Sequence, residues 1–240
     1  MSSPRYKGIP HLIYGTAFAF EKTTDLALAA LTAGFRAVDT AGSTHAYREA
    51  LVGDALATAT SSGLVARGDL WVQTKFSPFR PGKDPQNYPY DVDADIKERV
   101  AQSIAASLKN LQTTYLDSLI MHAQCPTLEE TLSTYAAMED YVPDTVACLG
   151  VSNFDLETLR TVYNAAKVKP AIVQNRFTAD TVANPTPGFP ADLPYGVDPM
   201  KETVNGIQRI KEYRGKSEEA RRTWNEGVKA LQAIVDTDER

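Results

Sequence analysis

Four side chains in the first 122 residues, Asp39, Tyr47, Lys75 and His122, make a set suited to moving a proton. Tyrosine has an ordinary pKa of about 10, so at neutral pH it holds its proton and gives it up poorly. A lysine ammonium nearby stabilises the phenolate and lowers that pKa. The lysine in turn needs a carboxylate if its charge is to survive in a partly desolvated cleft. A tyrosine such as Tyr47, a lysine such as Lys75 and a carboxylate such as Asp39 are of the types that could act as general acid, tuner and anchor. Positioned proton transfer of this kind is worth roughly 10²–10⁴ in rate. Each residue also has an ordinary use. Asp39 could cap a helix, Lys75 could simply be solvated, His122 could be a satisfied core histidine, and a loop tyrosine such as Tyr47 often only packs. His45, two residues before Tyr47, is a competing proton donor.

These residues need a scaffold that brings distant segments together. Short runs rich in β-branched and aromatic residues predict strands at 10–17, 35–41, 69–76, 116–123, 147–154 and 171–177. Helical spacing fills the intervals. Over 94–112, Ile96, Val100, Ile104, Leu108 and Leu111 form one apolar stripe, with Asp93 as the expected N-cap. A further helix is expected after Asp155, with Leu156, Leu159 and Val162 on one face. Gly34 and Gly63 fall where helices should end. Six strands alternating with five helices imply parallel βαβ units. Two architectures compete, a closed (β/α) barrel of the TIM type and an open doubly wound sheet. No G-x-G-x-x-G follows the first strand, which weakens the second. Asp39, Lys75, His122, Ser152 with Asn153, and Gln174 with Asn175 all sit at strand C-termini. A barrel gathers those ends at one mouth, so the α/β barrel is the predicted fold.

Composition narrows the partners. With 240 residues, 43% hydrophobic and 23% charged, the chain reads as a single globular domain. A net charge of −5 argues against binding a nucleic-acid backbone. No apolar run approaches the roughly 18 residues of a membrane span, and the first fifteen residues do not look like a signal peptide. Cys125 and Cys148 make neither a disulfide framework nor a metal cluster, so a reduced, cytoplasmic protein without a metal is expected. His11 starts the first strand, at the wrong end of a barrel for catalysis.

The motifs in order carry a family resemblance. GFRAVDTAGSTHAYREALVGDAL at 34–56 resembles the second-strand signature of aldo-keto reductases, in the fungal-type branch with extra residues between Asp39 and Tyr47. LWVQTKF at 70–76, LDSLIMHA at 116–123, GVSNF at 150–154 and VQNRF at 173–177 resemble the motifs of strands three to six. The match covers about three quarters of the chain, residues 1–177. It implies NADPH-dependent reduction of a small aldehyde or ketone, with hydride from the nicotinamide and the proton from Tyr47. It further implies that His122 orients the carbonyl oxygen. Ser152, Asn153 and Gln174 would hold the nicotinamide carboxamide, Gly15 and Thr16 would approach the cofactor from the first strand, and Asp39 would also belong to the cofactor site. The loop 77–92, with Phe79, Tyr88 and Tyr90, would favour a fairly large apolar substrate.

After Phe177 the resemblance stops. Residues 178–200 carry five prolines and two glycines, and two helices are expected near 201–213 and 217–235. In the second, Trp224, Val228, Leu231 and Val235 form an apolar stripe. No seventh or eighth strand and no counterpart of the family's adenosine clamp is legible. Open barrel edges would favour self-association unless the tail covers them. Two other readings therefore stay open: a non-catalytic relative that binds a small molecule or a partner, and a truncated gene product.

Overall fold

A computed structural model describes residues 10–175 of the chain. Six strands occur in it: β1 (Tyr14–Gly15), β2 (Ala37–Asp39), β3 (Trp71–Phe76), β4 (Leu116–Met121), β5 (Val146–Ser152) and β6 (Ile172–Gln174). Five helices fill the intervals: α1 (Thr23–Thr32), α2 (Glu49–Ser61), α3 (Ile96–Asn110), α4 (Leu128–Glu139) and α5 (Leu156–Ala165). All strand pairs are parallel and the sheet order is β1-β2-β3-β4-β5-β6. The order never reverses, so the sheet has no switch point of the doubly wound kind. It curls instead. In a flat sheet β2 and β6 would lie about 19 Å apart, four strand spacings of about 4.8 Å. Yet Gln174 on β6 reaches Asp39 on β2 at 3.3 Å. The described part is a half-barrel with helices outside.

The helix outside and strand inside follow from the sequence pattern. Strands β3, β4 and β5 are buried along their whole length, as expected when helices cover one face and the curled sheet the other. Val100, Ile104 and Leu111 are buried, and Ile96 and Leu108 pack partly buried against the same core. Gly34 and Gly63 take left-handed backbone, with φ of 100° and 75°, where α1 and α2 end. Two boundary expectations need correction. The cap of α3 is Asp95, whose carboxylate accepts from the Glu98 amide at 2.9 Å, not Asp93. Asp93 instead has its own amide bonded to Asp91. On α5, Val162 is buried but Leu156, the first residue after the Asp155 cap, is 61% exposed. The Pro/Gly-rich segment 178–200, the expected tail helices and the last residues of the sixth predicted strand lie outside the described residues.

Helix α2, which begins two residues after Tyr47, lies close against α3. Gly53 makes that possible: a Cβ there would collide with the Asn110 carbonyl oxygen at the end of α3. Gly53→Ala should therefore destabilise the fold by about 1–3 kcal/mol, the usual cost of overpacking, read as a lower urea midpoint. An unchanged midpoint would mean that α2 and α3 separate without loss.

Candidate active site

The half-barrel turns one face of each strand inward, and registration sets which residues meet there. Asp39 is level with Gln73, and Gln73 with Ser118; farther along, Ser152 is level with Gln174. Lys75 lies two residues above Gln73 on the same face. Its ammonium donates to both Asp39 carboxylate oxygens, at 2.6 and 2.7 Å, and to the Thr40 carbonyl at 2.8 Å. Lys75 is 2% exposed, so the pair is buried. Burial opposes the lysine charge, but the Asp39 charge and hydrogen bonds, with help from Tyr47, outweigh it and hold the ammonium above its ordinary pKa.

Tyr47 arrives from the β2–α2 loop. Its ring centroid lies 5.1 Å from the Lys75 ammonium and 5.8 Å from the His122 ring, which it meets edge-on at 67°. The loop is placed by Glu49, a buried carboxylate at the start of α2. Thr74 on β3 donates to it at 2.5 Å and Asn110 on α3 at 3.3 Å. Burial raises the Glu49 pKa against these donors. His45, the competing donor, is exposed, whereas Tyr47 is the tyrosine beside the lysine.

Lys75 acts on Tyr47 in the expected direction, through its charge and a side-chain hydrogen bond, but it does not win. Burial, with Asp39 adding to it, holds the phenol above its ordinary pKa. Tyr47 is thus a full proton store at neutral pH. His122 follows β4, its Nδ1 lies 2.8 Å from Ser77 Oγ, and burial next to the Lys75 charge lowers its pKa to about 3. The imidazole is neutral in the folded chain.

Residues expected to serve a cofactor occupy the mouth as well. Asn153 adopts left-handed backbone (φ 56°), which asparagine tolerates, and donates to the His122 carbonyl at 3.0 Å and to Ser152 Oγ at 2.9 Å. Gln174 turns toward Asp39. Thr16 is fully buried, and both its amide and its hydroxyl donate to the Asp39 carbonyl at 3.0 Å. At Gly15 a Cβ would meet nothing within 4 Å, so that stretch of β1 borders open space. His11 is exposed, Cys148 is buried, and both cysteines are free thiols. Among the described residues no His/Cys/Asp/Glu group could hold a metal, and no helix is long and apolar enough to cross a membrane.

Gln73, Glu49 and Ser77 were not singled out from sequence. Gln73 alone carried a signal: a polar residue two positions before Lys75, hence on the same strand face. The aromatic loop also differs from expectation. Tyr90 is buried, stacks on Phe76 at 5.3 Å and bonds the Ser77 carbonyl at 2.6 Å, while Phe79 and Tyr88 pack against the core. These rings hold the loop that presents Ser77 to His122, so they give no argument for a large apolar substrate.

Two outcomes follow. Asp39→Ala leaves a buried ammonium without its counter-charge and should lower stability by about 3–5 kcal/mol in urea unfolding; a loss below 1 kcal/mol would show that Lys75 escapes to water. For His122, the unfolded imidazole binds its proton near pH 6.5 and the folded one only near about 3. Between those values the unfolded chain holds more protons, so stability falls as pH falls, by up to about 1.4 kcal/mol per unit. His122→Gln should flatten that part of the stability-against-pH curve, and identical curves would show that His122 is already protonated in the fold.

The chain has relatives among known proteins. Residues 11–185 match the Aldo/keto reductase family. An aldo-keto reductase of Mycolicibacterium paratuberculosis is 34% identical over 155 residues, covering 64% of this chain and 47% of that one. Deoxymugineic acid synthase 1-A of Triticum aestivum is 28% identical over 187 residues, covering 70% of this chain and 54% of its own. Among solved structures, an aldo-keto reductase complexed with NADPH superposes with a TM-score of 0.58 at 26% identity, covering 74% of this chain and 54% of that one. The aldo/keto reductase from Brucella melitensis gives 0.58 at 27%, covering 74% and 62%. The chain spans about half the length of the curated relatives it matches. Sequential parallel strands, an inward lysine–aspartate pair beside a loop tyrosine, and a match over most of its length agree: the chain belongs to the aldo/keto reductase family.

Proposed function

We propose that this chain reduces an aldehyde or ketone to the alcohol with NADPH, Tyr47 supplying the proton. The observation that carries this reading is the buried Lys75–Asp39 pair with the Tyr47 ring 5.1 Å from its ammonium. Carbonyl reduction needs a proton donor that keeps its proton until the oxygen becomes basic. A phenol held protonated by burial meets that need, and the ammonium beside it stabilises the phenolate that remains. Asp39 holds the ammonium in place while the phenol changes charge. His122 is neutral and can donate a hydrogen bond without bringing a second positive charge to Lys75. In the tautomer whose Nδ1 accepts from the Ser77 hydroxyl, the carbonyl oxygen would be met by Nε2–H.

A nicotinamide carboxamide needs both donors and acceptors, and the Ser152 hydroxyl with the Asn153 and Gln174 amides are of those types, at adjoining strand ends. These residues fit the cofactor, with Gly15 and Thr16 approaching it from β1. When bound, the nicotinamide supplies the hydride. The substrate is a small carbonyl compound, and free thiols at Cys125 and Cys148 suit a reducing, cytoplasmic setting.

NADPH consumption with a panel of aldehydes and ketones tests this reading. Tyr47→Phe should lose at least 10²-fold in kcat, on the order of one positioned proton transfer, while still binding cofactor. At 100 times the dissociation constant, NADPH should raise the melting midpoint of both chains by roughly 5–10 °C. Equal turnover by the two chains would remove Tyr47 from the mechanism, and a melt unmoved by NADPH would remove the reductase reading.

A further inference from the structure

We propose that Gln73 is a positioning residue for this reaction, holding Asp39 against Lys75 and setting which way the Gln174 amide points. The inference rests on the reductase reading for its kinetic part and on the geometry for the rest.

Gln73 is 1% exposed and lies in the inward row directly below Lys75. Its amide has one possible orientation. A carboxylate only accepts, so Nε2 must face Asp39, where it donates to Oδ1 at 2.8 Å. Ser118 Oγ donates to the opposite end, Oε1, also at 2.8 Å. The second Nε2 hydrogen goes to Gln174 Oε1 at 3.1 Å, and Gln174 Nε2 returns to Asp39 Oδ2 at 3.3 Å. Asp39, Gln73 and Gln174 thus close a ring of hydrogen bonds beneath the Lys75 ammonium. Within that ring both polar ends of Gln174 are engaged inside the barrel.

This has a consequence for cofactor binding. Gln174 Nε2 keeps a second hydrogen and Oε1 a second lone pair, but turning the side chain toward a carboxamide breaks its bonds to Gln73 and Asp39. Of the two amides on Asp39, the shorter bond is that of Gln73, whose other end is anchored by Ser118. Gln73 therefore keeps Asp39 oriented toward Lys75 while Gln174 changes partner. The same amide opposes that change, because it holds Gln174 Oε1.

Gln73→Met keeps the length of the side chain and removes its donors, which separates the two effects. Gln174 loses a partner, so NADPH should bind more tightly, by the two- to tenfold that roughly one hydrogen bond represents. Asp39 loses a donor, so kcat should fall. Ser118→Ala, which frees only the far end of Gln73, should move both quantities the same way by less. A general loss of packing would weaken binding and slow turnover together, and either that result or two unchanged constants overturns the proposal. Urea unfolding of Gln73→Met, Gln174→Met and the double variant gives a readout independent of activity. The double variant should lose less stability than the two single losses added, and strict additivity overturns the ring of contacts. A wild-type chain that neither binds NADPH nor reduces any carbonyl would sink the reductase reading, while this cycle would still decide the coupling of Gln73 to Gln174.

Discussion

A lysine ammonium buried inside a curled sheet is the constraint on which the rest of this structure depends. Lys75 has almost no contact with water, and an uncompensated charge in that position would be expelled or neutralised. The half-barrel keeps it by surrounding it with oxygen. Two come from Asp39 and one from the Thr40 carbonyl, each within 2.8 Å. Asp39 is in turn held by Gln73 and Gln174, so its carboxylate is fixed by donors from two strands, β3 and β6, and Ser118 of β4 anchors the far end of Gln73. The curl of the sheet is what lets β6 take part. A flat sheet would leave the Asp39 carboxylate without its β6 donor.

Tyr47, the proposed proton donor, is placed by a second buried carboxylate on the other side of β3. Glu49 accepts from Thr74, the residue next to Lys75 in the chain, and from Asn110 at the end of α3. Strand alternation turns Thr74 outward where Lys75 turns inward. The same strand therefore fixes the ammonium on one face and the start of the tyrosine-bearing segment on the other. Gly53 completes the arrangement by letting α2 lie against α3. Tyr47 sits on a loop, yet the loop is tied two residues downstream to β3 and α3.

The chemistry of the mouth then follows from burial more than from pairwise charge. Desolvation raises the Tyr47 pKa, lowers that of His122 and opposes the charge on Lys75, and only at Lys75 does a partner outweigh it. The result is one fixed positive charge, one neutral imidazole and one protonated phenol in contact. That combination keeps a proton available without adding a second cation.

Much of this was legible in the sequence. Six strands and five helices came from periodicity, and the polar residues at strand ends pointed to a common mouth, because local pattern reflects which face of each element is covered. Asp39, Tyr47, Lys75 and His122 were named from residue type and motif order, and the fold brings them together. The cap at Asp95, the exposure of Leu156 and the burial of Tyr90 were misplaced, since each depends on where an element ends or what lies above it. The order of the polar network also needed the tertiary structure. Gln73, Ser118 and Gln174 are up to 101 residues apart along the chain, and only the strand register and the curl put the two amides within hydrogen-bonding distance of Asp39 and the Ser118 hydroxyl within reach of Gln73. The sign of the Tyr47 shift was likewise settled in three dimensions. Residue type supplies the charge that lowers it, but the amount of water excluded from the mouth is a property of packing, and packing prevailed.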